Sequence, residues 1–184
     1  MMRISLASLA GLALLPTTAN AQSVSDTKEF AVVGTVPSIC VGGSVSETGG
    51  IFDLGVLTNT STGLLRSDLS APVQVLSGSF CSSRSTIAIA ATPLAAQNFA
   101  GPTPSGFSRS VDYVATASGW TEAPAVFGTA NATNAAALQT RDTAFSGAIT
   151  VSLSDFATSG GSALRMIADE DYRGKVTVTL TPES

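Results

Sequence analysis

The chain has 184 residues, with 9 Lys and Arg residues against 13 Asp and Glu residues, no histidine and a net charge of −4. The charges are sparse and no basic cluster occurs, so we do not expect nucleic acid as a partner. Without histidine, Ser-His-Asp and Cys-His catalytic arrangements are excluded, and acid–base catalysis lacks the side chain that titrates near neutral pH.

Residues 1–21 have the pattern of a cleavable signal peptide. Arg3 precedes an uncharged, mostly apolar run over residues 4–15, and residues 19–21 read Ala-Asn-Ala, the small-residue pattern of a cleavage site. The apolar run is too short for a membrane span, which needs about 20 apolar residues. We therefore expect cleavage before Gln22, export through the periplasm to the cell surface or the extracellular space, and no membrane span in the mature chain.

The two cysteines, Cys40 and Cys81, both lie in the exported part of the chain. Oxidising conditions favour one disulfide between them. Closing a loop of about 40 residues would stabilise the fold by roughly 4 kcal/mol. A metal pair would need further Cys or His ligands, and a nucleophilic cysteine would lack its imidazole partner. We therefore predict a disulfide and no metal site.

Short β-branched runs separated by Gly, Ser, Thr, Asn and Pro recur along the mature sequence, while helical periodicity is scarce. About seven or eight strands of this kind predict an all-β fold, a β-sandwich of one domain. The predicted strands cover residues 30–36, 51–57, 72–81, 86–91, 110–116, 147–153, 163–168 and 175–181. Residues 120–140 carry no strand signal, so we expect a long loop there, or a helical turn at residues 135–139.

The last of these runs is the clearest strand. Val176, Val178 and Leu180 alternate with threonines. Because successive side chains of a strand point to opposite faces, the apolar residues should face the core and the hydroxyls should face water.

Few other residues suggest chemistry. The run Asp169-Glu170-Asp171 could attract calcium, but the spacing of known calcium loops is missing, so we interpret it as a solvated turn. Lys28 and Lys175 have no motif around them to support a Ser-Lys pair and are expected on solvated strand ends. No pair of acids is marked out for glycoside hydrolysis. We therefore expect no enzymatic activity and no cofactor.

Two aromatic residues keep a binding function open. Trp120 and Tyr172 could belong to a sugar-stacking surface, although packing in the core or at an edge is favoured because so few aromatics are available to fill a sandwich. An extracellular adhesin or carbohydrate-binding module is therefore the alternative function. The N-glycosylation triplets at Asn59 and Asn131 carry little weight in a chain rich in Ser and Thr.

Four segments carry a more specific pattern: residues 34–44 (GTVPSICVGGS), 52–57 (FDLGVL), 73–81 (VQVLSGSFC) and 172–180 (YRGKVTVTL). Together they resemble subunits of archaic chaperone–usher pili and the related spore coat protein U (SCPU) domains. In those families a first-strand cysteine pairs with a cysteine that ends the second long strand, and the closing strand alternates Val with Thr. The resemblance implies an immunoglobulin-like sandwich over residues 30–184 that lacks its final strand.

The resemblance also implies a mechanism of assembly. In such pilins a periplasmic chaperone fills a hydrophobic groove until the N-terminal extension of another subunit replaces it, which is β-strand addition. A head-to-tail contact of this kind need not close, so it propagates a filament. The expected function is a secreted structural subunit of a surface pilus or coat, with a chaperone, an usher and other pilin subunits as partners.

Two sets of residues would carry this assembly. The N-terminal extension is residues 22–36, which overlaps the predicted first strand, and Phe30, Val32, Gly34 and Val36 would share one face of the donor strand. Val176, Val178 and Leu180 would belong to the closing strand beside the groove.

Overall fold

A computed structural model describes residues 25–45 and 49–183. Regular structure is almost entirely β, with 46% strand and 2% helix, so the all-β prediction is confirmed. The chain divides into two units, Met1–Thr35 and Val36–Ser184, and the strands of the described residues all lie in the second. The predicted signal peptide, residues 1–21, lies outside the described residues.

Eleven strands and one 3-10 turn form within the described residues. They are β1 (Cys40–Val41), β2 (Ser44–Val45), β3 (Gln74–Cys81), β4 (Ser85–Ala96), β5 (Phe107–Ser108), β6 (Ser110–Ser118), β7 (Ala125–Gly128), the turn η1 (Ala135–Ala137), β8 (Leu138–Arg141), β9 (Phe145–Thr158), β10 (Arg165–Met166) and β11 (Tyr172–Pro182).

Nine of these strands form one antiparallel sheet. Its main path runs β1-β3-β9-β6-β4-β11, with β2 beside β3, β7 beside β6 and β8 beside β4, while β5 and β10 make a short parallel pair. The long strand β4 pairs with β8 through its first four residues and with β6 from Leu94. Since β11 follows β4 along its whole length, the sheet curls into a sandwich-like half-barrel.

The core lies inside the curl. Side chains at alternate positions of β4, β6 and β9 fill it, and ten buried residues form one cluster: Cys81, Ile87, Ile89, Tyr113, Ala115, Ala117, Trp120, Ala125, Ile149 and Val151. The Tyr113 hydroxyl donates a 2.8 Å hydrogen bond to the Thr92 carbonyl oxygen. Burial raises the pKa of this phenol to about 12, so it stays protonated at neutral pH.

Several predicted strands differ from the observed ones. Residues 30–36 and 51–57 form no strand, although both are rich in apolar residues, because they pair with no neighbouring strand among the described residues. The strand predicted at 163–168 shrinks to the two residues of β10. Residues 120–140, predicted as a loop, contain β7 and the start of β8, since tertiary pairing with β6 and β4 overrides their weak strand propensity. The helical turn predicted at 135–139 is present as η1.

Candidate functional site

The sheet has one long open edge, the strand β11. It pairs with β4 from Tyr172 opposite Ala96 to Pro182 opposite Ser85. Among the described residues no second strand pairs with it, although β1 lies close by, so the backbone groups on its other side have no strand partner. A long unpaired edge of this kind is a template for pairing with a strand of another chain.

The predicted closing-strand residues lie on the inner face of β11. Val176, Val178 and Leu180 are half-buried and pack against the core cluster, whereas the intervening threonines are exposed. The alternation predicted from the sequence is therefore confirmed. The three apolar side chains are less covered than the inward-facing ones of the interior strand β6, which are fully buried.

A bulge in β11 interrupts its pairing with β4 between Arg173 and Lys175. A Cβ atom at Gly174 would lie 2.8 Å from the Thr92 carbonyl oxygen, so the close approach of the two backbones requires glycine. The Lys175 N–H donates instead to the Thr92 hydroxyl at 3.0 Å. The bulge lies at the end of β11 where the neighbouring cavities open.

Two cavities lie between the beginning of β11 and residues 51–57. The larger has a volume of about 680 Å³ and the smaller about 350 Å³. Leu54, Leu94 and Tyr172 line both. The larger cavity is also lined by four carboxylates, from Asp53, Asp169, Glu170 and Asp171. Apolar walls beside an open strand edge can accept the side chains of an added strand.

The open edge of β11 and the two cavities beside it together form a groove. Asp169 holds together two loops at the end of this groove. Its carboxylate accepts hydrogen bonds from the backbone N–H groups of Asn98 (2.8 Å), Phe99 (3.1 Å) and Asp171 (2.8 Å), and from the Asn98 side-chain amide (3.0 Å). The Asp171 N–H, followed by the Asn98 and Phe99 donors, lowers the pKa of Asp169 despite the opposing effect of burial. The acidic run is therefore a structured turn, and Asp169 is occupied by protein donors.

The proposed donor residues lie in a segment without regular secondary structure, residues 25–39. Phe30, Val32 and Val36 are 87%, 97% and 88% exposed, and a Cβ at Gly34 would meet no atom within 4 Å. Exposed large apolar side chains in an alternating row are unfavourable in water. They are available to a partner surface.

The predicted disulfide between Cys40 and Cys81 is present. It joins β1 to the end of β3, where the two residues face each other in the pairing register. Ser82 extends this connection: its N–H donates to the Ile39 carbonyl oxygen at 2.9 Å, and its hydroxyl accepts from the Ile39 N–H at 3.0 Å. The segment that leads from β1 back toward residue 36 is thus anchored to the sheet at Ile39 and Cys40.

The two aromatic candidates for sugar binding are packed into the protein. Trp120 has no exposed surface, its Nε1–H donates to the Ser85 hydroxyl at 3.3 Å, and its ring meets Phe145 edge-on. The Tyr172 hydroxyl donates to the Ile167 carbonyl oxygen at 2.8 Å, and its pKa is raised by burial and by the nearby Asp169. A sugar-stacking role for Trp120 is therefore wrong, and core packing, the favoured interpretation, is confirmed.

The remaining candidates are solvent-facing or structural. Lys28 and Lys175 are exposed, and Lys28 pairs with Asp26 at 2.9 Å. Across residues 25–45 and 49–183, no group of three or more Cys, Asp and Glu side chains is placed to hold a metal ion. No helix in that part of the chain is long and apolar enough to cross a membrane.

No family model, curated protein or solved structure matches this chain. The site must therefore be interpreted from its own geometry. It combines an open strand edge, two cavities beside that edge of which the larger has both apolar and acidic walls, and a separate exposed apolar segment.

Proposed function

We propose that this chain is a secreted structural subunit of a surface pilus or coat that assembles by donor-strand complementation. The observation that carries the proposal is the open edge of β11, where Val176, Val178 and Leu180 are half-buried against the core cluster and the smaller cavity lies beside Tyr172 to Val176. The N-terminal segment of a second copy is the proposed occupant. Of its four alternating residues, Phe30, Val32 and Val36 supply apolar side chains that are exposed in the single chain, and Gly34 supplies none.

The compartment and partners follow from the same proposal. A signal peptide over residues 1–21 directs the chain out of the cytoplasm, and the disulfide suits an oxidising environment. A subunit with an open edge is prone to pair wrongly before assembly. A periplasmic chaperone that covers the edge and an usher that orders the exchange are therefore the expected partners.

The extension can be tested by deletion. The mature chain beginning at Gln22 should form head-to-tail polymers that light scattering and electron microscopy detect. Removing residues 22–33 should abolish assembly, and a synthetic peptide of residues 25–36 should bind the truncated chain. If the mature chain is a stable monomer that trimming leaves unchanged, the proposal is wrong.

A matched pair of substitutions tests whether the extension enters as a strand. Val32 and Val33 are adjacent and are 97% and 91% exposed, so neither Val32→Asp nor Val33→Asp should change the stability of the isolated chain. In a strand they point to opposite faces. Burial of a valine contributes about 1.5–3 kcal/mol, so Val32→Asp should weaken assembly at least about tenfold, while Val33→Asp has a smaller effect. Equal effects of the two changes would contradict strand addition in this register.

A further inference from the structure

Residues 51–57, here called the strap, lie against the open side of the half-barrel without joining either sheet. The strap forms one wall of both cavities, and the beginning of β11 forms part of the opposite wall. A strand added to β11 at this end would occupy the space that the strap borders. The way the strap is attached therefore matters for access to the groove.

The strap is tethered at its two ends. At its start, the side-chain amide of Gln74 donates a 2.8 Å hydrogen bond to the Ile51 carbonyl oxygen, and Gln74 is only 3% exposed. At its end, the Arg66 N–H donates to the Leu57 carbonyl oxygen at 2.9 Å, next to the β-bridge between Thr58 and Leu65. In both tethers the hydrogen-bond donor, from Gln74 or from Arg66, lies outside the strap.

The middle of the strap is held much more weakly. Between the tethers the Gly55 N–H donates to the Asp53 carboxylate at 2.9 Å, which is a bond within the strap, and the Arg66 guanidinium donates to the Val56 carbonyl oxygen at a long 3.4 Å. Gly55 has a φ of +61°, which breaks the strand-like alternation. Phe52 packs against the core cluster and Leu54 is half-buried, whereas Ile51 is 66% and Val56 61% exposed. Few buried contacts and an absence of strand pairing are the properties of segments that open locally at low free-energy cost.

We infer that residues 51–57 are a hinged strap, pinned over the groove by the Gln74 amide, that swings outward between its two tethers to admit a strand beside β11. The strand is residues 30–36 of a second copy, so this inference rests on the proposed function. The strap carries apolar side chains inward at Phe52 and Leu54, and after opening it covers the inserted strand from the other side. Gln74 is a positioning residue: it sets how readily the strap opens.

Gln74→Leu tests the tether, because leucine keeps the site apolar and filled but removes the hydrogen bond. Gln139→Leu is the matched control, since the Gln139 amide donates a comparable bond, at 3.1 Å, to the Ala136 carbonyl oxygen in a different part of the fold. Both changes are made in the mature chain carrying Val32→Asp, which weakens self-assembly at least about tenfold under the proposed function. Phe52→Ala, which loosens the strap without altering Gln74, is measured beside them in case Gln74→Leu weakens the whole domain.

Cleavage at Asp53 by a protease specific for aspartate is the first measurement, with β9 as the internal reference, because the cleavage rate follows the population of the open strap when opening is fast. Losing one hydrogen bond should accelerate strap cleavage about fivefold to tenfold in Gln74→Leu, and Phe52→Ala should act in the same direction. Gln139→Leu should leave strap cleavage unchanged. The second measurement is the rate at which a fluorescent peptide of residues 25–36 binds, which should rise by a similar factor in the two strap variants.

The possible results distinguish a failure of the strap inference from a failure of the proposed function. Unchanged strap cleavage in both Gln74→Leu and Phe52→Ala overturns the inference, whatever the peptide does. Peptide binding at the same rate in all variants, with faster strap cleavage, also overturns it, because the strap then does not control access. If the strap loosens as expected but the peptide binds no variant, the hinge is supported and the proposed function is contradicted.

Discussion

The two edges of the sheet are built in opposite ways. At one edge, β1 and β2 are two residues long each, and a disulfide fixes β1 to β3. At the other edge, β11 presents eleven residues, with pairing on the side of β4 and apolar cavities beside its beginning. Short edge strands limit unwanted pairing, whereas a long open edge invites it. The first edge is therefore protected from added strands by its short strands and its disulfide, whereas the second edge can accept an added strand.

The largest expected effect concerns the closed edge. Replacing both cysteines, Cys40→Ala with Cys81→Ala, should lower the free energy of unfolding by roughly 4 kcal/mol, because the unfolded chain regains the freedom of a loop of about 40 residues. Urea unfolding measures this change. The wild-type chain unfolded in reductant should show the same loss. A loss below about 1 kcal/mol would mean that β1 is held mainly by its noncovalent contacts.

A pair of truncations compares the interior of the sheet with the open edge. Ile149 has no exposed surface, so Ile149→Ala should cost about 2–5 kcal/mol. Leu180 is half-buried, and Leu180→Ala should cost less, about 1–2 kcal/mol. Binding of the peptide of residues 25–36 should increase the cost at Leu180 and leave that at Ile149 unchanged. Equal costs in the free protein would show that the edge is already fully covered.

The smallest expected effect concerns the loops beside the open edge. Because the folded-state pKa of Asp169 is lowered, its stabilising contribution is present above the unfolded pKa, near 4, and is lost as the pH falls through the folded value. Asp169→Asn should therefore lower the Tm at pH 5 to 8, and its Tm should converge with that of the wild type below about pH 4.

Glu170→Gln is the control for this pH dependence. Glu170 is the exposed neighbour of Asp169, so the change removes a carboxylate from the same turn without removing the Asn98 and Phe99 acceptor. Its Tm should follow the wild type across the whole range. A difference between wild type and Asp169→Asn that persists undiminished to pH 2.5 would contradict the assigned role of the ionised carboxylate.

Periodicity in the sequence was a reliable guide where a strand has partners. Val176, Val178 and Leu180 lie on the inner face as predicted, and the disulfide is present. It failed for residues 51–57, because a run such as Phe52 and Leu54 can satisfy its apolar side chains against the core without pairing its backbone. It also missed β7 and β8, whose residues become strands only because β6 and β4 lie beside them.

The residues that shape the groove were harder to predict. Nothing local marks Gln74 as the tether of Ile51, 23 positions away, and the acidic run gave no sign that Asp169 binds Asn98, 71 positions away. Both contacts depend on loops that meet only after the sheet has curled. The location of Trp120 was not predictable for the same reason, since a lone aromatic residue in the sequence suits a core as well as a binding surface.

By itself, the sequence determined the all-β class, the disulfide and the face on which each side chain of β11 lies, because these follow from local alternation and from cysteine chemistry. Only the tertiary structure decided that β11 is an edge, that the strap borders its cavities and that Trp120 is buried. Those properties depend on which strands become neighbours. A pattern with a period of two specifies the two faces of a strand, but it contains no information on what lies along either side of it.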